Sequence, residues 1–155
     1  MAAGKILTRL KELGVELPPA TGALAVYRPA VRTGNLIFVS GQIAMKDGAI
    51  MTPGHLGTDV TVEQGYAAAR QCALNALAAI VGLRGSLENL RLVRTVGYVA
   101  AAPEFKDHGA VVNGASELLR DIFGTGRGLG ARTSIGIASL PLGTPVEVEL
   151  LFEVE

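Results

Sequence analysis

The 155-residue chain carries 14 basic and 14 acidic residues, so no charge excess favours binding to nucleic acid. Its apolar fraction of 49% is enough for the core of one domain without disulfides or a metal. The single cysteine excludes an internal disulfide and is typical of a cytoplasmic protein, and no uninterrupted apolar run has the length of a membrane span.

The N-terminal part of the chain predicts one short helix followed by strands. Apolar side chains at helical spacing predict an amphipathic helix over residues 1–13, which with the prolines after it makes a helical extension over residues 1–20. Strand composition follows at four places: residues 24–31, 36–40, 43–45 and 49–51. We expect the whole chain, residues 1–155, to form one domain.

Two longer helices and further strands are expected in the rest of the chain. Thr61 and Gln64 have the spacing of a capping box, which predicts the start of a helix that Gly82 and Gly85 end. The other predicted elements are a strand over 90–101, a helix over 103–123, a glycine-rich flexible loop or cleft lid over 124–130, and strands over 131–138 and 144–153. This order predicts an α+β fold, a mixed sheet with two long helices on one face.

Arg132 and Glu147 are the first candidates for function. If the last two strands form a hairpin, both residues lie on its less apolar face. A guanidinium in a half-apolar cleft binds a small carboxylate through two parallel hydrogen bonds. From spacing alone, an ion pair between Arg132 and Glu147 or Glu149 explains the pattern equally well. Spacing alone explains Glu147 better as one of three solvated glutamates on an edge strand.

The second face of the sheet predicts an oligomer. Nothing in the sequence is expected to cover that face, and the last strand alternates glutamate with leucine there. On the preceding strand, the same face is expected to carry small residues, namely Ser134, Gly136 and Ala138. Such a half-polar face predicts a subunit interface, with a site between copies of the chain.

Several runs together resemble a known family. These are Tyr27, the run Thr33-Gly34-Asn35-Leu36-Ile37-Phe38-Val39-Ser40-Gly41-Gln42-Ile43, then Arg132-Thr133-Ser134, Leu140-Pro141 and Val146-Glu147-Val148-Glu149. They resemble the reactive-intermediate deaminase (Rid) family, also called the L-PSP endoribonuclease family, over roughly residues 24–153. The chain departs from that family in its N-terminal extension, its longer loop at 51–59 and its glycine-rich segment before Arg132. All three flank the expected cleft.

The resemblance implies a chorismate-mutase-like fold and a cytoplasmic homotrimer with a cleft between each pair of subunits. It implies a hydrolase that converts 2-enamine and 2-imine acids to 2-keto acids and ammonia without a cofactor. Arg132 would hold the substrate carboxylate and Glu147 would orient water. The other residues that the resemblance places at the substrate are Tyr27, Ser40, Gly41, Asn113 and Ser134.

Other functions remain open at this stage. The same residues would serve a non-catalytic protein that binds small 2-keto acids, and a purely structural protein would bind no ligand. The older family name implies an endoribonuclease, but neutral charge and scarce aromatic residues argue against it. No metal site is predicted, because His55 and His108 lack ligand spacing. Cys72 lies among alanines and is interpreted as a buried, inert thiol.

Overall fold

A five-stranded sheet with long helices packed against one face makes up most of the computed structural model, which describes residues 4–155. The predicted α+β class is confirmed. The helices are α1 (Lys5–Glu12), α2 (Val62–Arg84), α3 (His108–Phe123) and the short α4 (Thr125–Gly128). The strands are β1 (Ala30–Thr33), β2 (Leu36–Ile43), β3 (Met45–Lys46), β4 (Ala49–Ile50), β5 (Leu90–Ala100), β6 (Ala131–Ile137) and β7 (Val146–Val154). The first residues of the predicted N-terminal helix, 1–3, lie outside the described residues.

Strand β7 shows why the sheet has one buried face. Its alternate residues from Val146 to Phe152 are buried beneath the helices, whereas Glu147 and Glu149 point to the other face. Successive side chains of a strand point to opposite faces, so this alternation was readable in the sequence. The prediction for this strand is confirmed.

Helix α2 begins at the predicted capping box. The Thr61 hydroxyl accepts a hydrogen bond from the backbone N–H of Gln64, and the Gln64 side chain accepts one from the N–H of Thr61. The helix ends at Gly85, whose φ of 73° is the left-handed conformation typical of a C-cap. Gly82 does not end the helix. It lies in the last turn, where the Ala20 methyl group comes within 3.0 Å of the position that a Cβ would take.

By length and composition alone, α2 could cross a membrane, with a mean hydropathy of 1.2 in its most apolar window. However, 56% of that window is buried inside the fold. Its buried face is rich in alanine, and Gly114 of α3 packs directly against the α2 backbone at Tyr66. These contacts are those of a core helix.

The order of the strands is β1-β2-β7-β5-β6, so the last two strands are not neighbours. Strand β5 lies between them, parallel to β6 and antiparallel to β7. The predicted hairpin is therefore wrong. Helix α3 carries the chain back to the outer edge of β5, and β7 then enters the middle of the sheet, where it hydrogen-bonds to neighbours on both sides.

Other boundaries also differ from those predicted. The strand predicted over 36–40 continues to Ile43, and the next strand is Met45–Lys46 rather than 43–45. The first strand begins at Ala30 because the preceding residues form bends, and the N–H of Tyr27 is bonded to the carbonyl of Ala25. Helix α3 begins at His108, since Pro103 and Glu104 form a turn and residues 105–107 have no regular structure.

The glycine-rich segment is packed in place. Gly128 lies against the backbone of Leu119 and Arg120, and Arg127 makes an ion pair of 2.7 Å with Glu155 at the end of the chain. The expectation of a loop over 124–130 is wrong for residues 125–128, which form α4, and these contacts hold the segment against α3.

Candidate active site

The seven predicted site residues fall into two groups on opposite faces of the sheet. Along β5, Thr95 pairs with Arg132 on one side and Tyr98 pairs with Glu147 on the other. Thr95 and Tyr98 are three residues apart, an odd number, so the side chains of Arg132 and Glu147 point to opposite faces. The expectation that both lie on one face is wrong, because β5 lies between their strands and the two strands are not a hairpin.

Arg132 lies on the helix side of the outer strand, β6. Its Nη1 donates to Asn113 Oδ1 at 2.7 Å and to Ser116 Oγ at 3.2 Å, both on α3. Within residues 4–155 it makes no ion pair with a carboxylate. The alternative of an ion pair with Glu147 or Glu149 is therefore wrong for the single chain. The exposed guanidinium keeps two of its three nitrogens, Nε and Nη2, free of hydrogen bonds to the described residues.

Ser134 lies two residues further along the same face. Its hydroxyl is buried and has no hydrogen-bond partner among the described residues. A buried polar group without a partner costs about 1–3 kcal/mol. Arg132 and Ser134 therefore both present unused hydrogen-bonding capacity on one edge of the sheet.

His108, at the start of α3, lies over the same edge, and no role at this site was predicted for it. Its ring packs edge-on against Phe105, with ring centroids 5.2 Å apart. Nε2 lies 2.5 Å from the position that a Cβ on Gly136 would take, so only glycine leaves room for the ring. Arg132, Ser134 and Gly136 alternate along β6 and therefore share the face that His108 covers. This spacing was the one sequence signal that these residues lie together.

The second group lines a cleft of about 390 Å³. The predicted residues at this cleft are Tyr27, Ser40, Gly41 and Glu147. Between Val39 and Gln42 the register of β2 against β7 shifts, which places Gly41 in a bulge beside Glu147. A Cβ on residue 41 would overlap the Glu147 carboxylate. Glycine at position 41 therefore lets the Glu147 carboxylate lie directly against the β2 backbone.

Ser40 holds the cleft wall together. Its Oγ donates to the carbonyl of Arg28 at 2.6 Å, and its N–H donates to the carbonyl of Pro29 at 2.9 Å. These bonds position the segment that carries Tyr27. The Ser40 hydroxyl has its donor already engaged, so its role in this structure is to shape the cleft.

Glu147 has the electrostatic character of a base. Burial, and secondly the negative charge of Glu149, raises the pKa of the Glu147 carboxyl above its ordinary value. Both causes disfavour the ionised form. A carboxylate with a raised pKa holds a proton more readily, which suits proton transfer from water near neutral pH.

Residues from outside the predicted motifs complete the cleft. The segment after the N-terminal extension contributes Thr21 and Leu24, and α2 contributes Asn75. The Asn75 amide donates to the carbonyls of Ile43 and Met45 at 3.0 and 2.9 Å, and so fixes the end of β2. No sequence motif predicted these contacts, because they join segments that are far apart in the chain.

The sheet face away from the helices carries exposed apolar side chains. The prediction that small residues lie on this face is wrong for Ser134 and Gly136, whose positions face α3. The exposed apolar residues are Val31, Phe38, Ile135 and Ile137. Such a patch on one face is typical of an interface with another protein. Among residues 4–155 no group of three potential metal ligands is found.

Comparisons with known proteins agree with the fold. A family model described as "YjgF/chorismate mutase-like, putative endoribonuclease" matches residues 7–154. Protein TCP17 of Trypanosoma cruzi is 39% identical over 155 residues, which cover 99% of this chain and 96% of that protein.

Two solved structures are similar over nearly their whole length. Atu1372 of Agrobacterium tumefaciens is 41% identical and has a TM-score of 0.88, covering 97% of this chain and 93% of that one. A Shewanella oneidensis protein is 34% identical with a TM-score of 0.90, covering 96% and 98%. The resemblance noted in the sequence is thereby confirmed at the level of the family and its fold.

Proposed function

The chain belongs to the YjgF/chorismate mutase-like (L-PSP) family, and from this premise we propose that it hydrolyses 2-imine and 2-enamine acids to 2-keto acids and ammonia. The proposal rests on the hydrogen bonding of the Arg132 guanidinium. Its guanidinium has no carboxylate partner within residues 4–155 and has two free nitrogens. An unpaired guanidinium whose position is held by Asn113 and Ser116 is suited to bind a small carboxylate through two hydrogen bonds.

The chemistry requires an anchor, a water molecule and a route for protons. With the carboxylate held by Arg132, water adds to C2 of the imine while Glu147 accepts one of its protons. Glu147 returns this proton to the imine nitrogen, which completes a neutral carbinolamine. The hydroxyl proton of the carbinolamine then passes to the same nitrogen as the C–N bond breaks, which leaves the keto acid and ammonia. A 2-enamine acid enters the same sequence after a proton moves from its nitrogen to C3, which makes it the imine. One water is consumed, nothing is oxidised or reduced, and the Glu147 carboxylate is regenerated. The raised pKa of Glu147 supports its part in this transfer.

The two halves of the site would come from different copies of the chain. Arg132 and Glu147 point to opposite faces of one sheet, so a single copy does not present both to one small acid. The exposed apolar face supports a homo-oligomer, which we propose to be a trimer, in which the β6 edge of one copy meets the cleft of the next. We also propose that the protein acts in the cytoplasm.

The test is an assay of keto-acid release from 2-aminoacrylate, generated in place by a dehydratase acting on serine. We expect the wild type to accelerate release over the spontaneous rate and Arg132→Ala to lose that acceleration. Arg132→Lys should lose most of it, because an ammonium cannot form the two-pronged contact. Arg32→Lys is the matched control, since Arg32 is exposed on β1 and donates only to the carbonyl of Gly34.

Two results would replace the proposal. Binding of pyruvate that depends on Arg132 but not on Glu147, without any turnover, would identify a non-catalytic carboxylate-binding protein. Cleavage of RNA by the wild type, with no effect on 2-aminoacrylate, would support the endoribonuclease named in the family description.

A further inference from the structure

The segment between α1 and β1 forms part of the cleft wall. We name residues 16–25 the strap. It is held from both sides, because α1 before it is bonded to the rest of the fold and Ala20 within it packs at Gly82 of α2. In α1, the Ile6 N–H donates to Glu88 Oε1 at 2.7 Å and Arg9 Nε donates to the carbonyl of Asp121 at 2.8 Å.

A second cavity of about 560 Å³ lies between the strap and the β3–β4 hairpin. It shares Thr21, Met45 and Asn75 with the cleft that contains Glu147. The two cavities therefore adjoin, and the shared residues lie at their junction.

The wall of the second cavity combines apolar side chains with the amides of Gln71 and Asn75, which are bonded to each other, and its rim is charged. Leu17, Pro18 and Leu74 are half-buried in its wall, whereas Glu16 and Lys46 are exposed at its edge. An uncharged hydrocarbon or thioether chain would bury apolar surface against this wall without removing a charge from water.

We propose that this cavity is a distal subsite for the substrate side chain, and that the protein acts on 2-imino acids with uncharged side chains longer than that of alanine. The inference rests on the proposed function. It follows from the direction of the cleft: Gly41 and Glu147 mark the end where the reacting carbon lies, and Met45 and Asn75 mark the end that opens into the second cavity. A three-carbon acid would leave the second cavity empty, whereas the side chain of a leucine- or methionine-derived acid would enter it.

The test compares substrates of different length. An amino-acid oxidase generates imino acids in place from alanine, leucine and methionine, and keto-acid release above the spontaneous rate gives kcat/KM for each. We expect kcat/KM for the longer acids to exceed that for the alanine-derived acid by at least about tenfold, since each methylene in an apolar pocket contributes roughly tenfold or more.

Thr21→Trp places a large side chain at the junction of the two cavities. We expect it to reduce the ratio of long-chain to short-chain kcat/KM by at least about tenfold. Thr8→Trp is the matched control, because Thr8 is exposed on α1 away from both cavities, and it should leave that ratio unchanged. A wild type without preference for longer acids, or a Thr21→Trp variant with an unchanged ratio, overturns the subsite.

Failure of the proposed function gives a different result. If no imino acid is hydrolysed faster than spontaneously, calorimetric titration with 2-oxobutanoate and 4-methyl-2-oxopentanoate tests the subsite directly. Tighter binding of the longer acid that Thr21→Trp removes supports the subsite in a non-catalytic protein. Equal binding of both acids, or binding of neither, overturns it.

Discussion

Arg132 and Glu147 lie on opposite faces of one sheet, with strand β5 between them. Two strand spacings and three residues along the strands separate their Cα atoms by about 14 Å. If the two residues act together, each chain gives its Arg132 to one site and its Glu147 to another. This relationship makes the role of the assembly testable without a structure of the assembly.

Mixing two inactive variants should restore activity. If each site takes Arg132 from one copy and Glu147 from the next, random exchange between Arg132→Ala and Glu147→Gln subunits rebuilds about one site in four. The measurement is 2-aminoacrylate hydrolysis after the two proteins are mixed, partly unfolded in denaturant and refolded. Each variant taken alone through the same treatment is the control. A mixture no more active than its components would show that sites are not shared between copies.

Gly41→Ala should lower activity by at least about tenfold while the fold persists. The new methyl group would overlap the Glu147 carboxylate, which is the end of a flexible side chain and can move away. The melting temperature should therefore fall by no more than about 4 °C, which corresponds to roughly 1 kcal/mol. Gly126→Ala is the control, because a Cβ on Gly126 meets open space. Full activity of Gly41→Ala would show that the reaction does not depend on the position of the Glu147 carboxylate.

The raised pKa of Glu147 has a consequence for stability. Burial makes the folded protein prefer the protonated carboxyl, so this group favours folding fully only below its ordinary pKa of 4.5. That contribution is lost as the pH rises through the higher pKa of the folded state. Because Glu147→Gln is always neutral, it should melt at the same temperature as the wild type at about pH 3.5 and at a higher temperature at pH 7.

Thermal melts across this pH range check the prediction. Glu104→Gln, a change at an exposed position before α3, should show no such pH-dependent difference from the wild type. Wild-type hydrolysis should also weaken as the pH falls through the raised pKa of Glu147, because the base becomes protonated. Lower stability of Glu147→Gln than of the wild type at pH 7 would contradict the account.

Two buried hydroxyl groups should respond in opposite ways to removal. Ser134 Oγ has no partner among the described residues, so Ser134→Ala should leave the free energy of unfolding unchanged or raise it by about 1 kcal/mol. The Thr144 hydroxyl accepts from the Ala44 N–H at 3.1 Å and donates to the Val146 carbonyl at 2.9 Å. Thr144→Val should therefore lower the free energy of unfolding by about 1–3 kcal/mol.

Chemical denaturation of both variants measures these changes in the free energy of unfolding. Titration with pyruvate measures whether Ser134→Ala also changes ligand binding. If the Ser134 hydroxyl contacts ligand, Ser134→Ala should weaken pyruvate binding although it does not destabilise the fold. Equal destabilisation by the two substitutions would mean that Ser134 is already satisfied within the chain.

Local signals account for the parts of the fold that were predicted correctly. The hydroxyl of Thr61 and the amide of Gln64 are three residues apart, and their hydrogen bonds form wherever that stretch is helical. The alternation of Val146, Val148, Leu150 and Phe152 identified β7 and its buried face in the same way. Each of these patterns depends on residues within one element.

Strand β6 shows where local patterns fail. Alternation favours Ile135 and Ile137 as its buried residues, yet they are exposed. Val112 packs so closely over Gly97 that a Cβ there would overlap it, and His108 takes the corresponding space over Gly136. Small residues are thus needed beneath α3, and the larger apolar residues face outward, where a partner copy would cover them.

The sequence by itself determined the two long helices, most of the strands, the family to which the chain belongs, and which residues were worth testing, because these depend on patterns along the chain. Only the tertiary structure decided that Arg132 and Glu147 face opposite ways and that the strap borders the cleft. Strand order and the packing of distant segments follow from burial over the whole chain, and no local spacing encodes them.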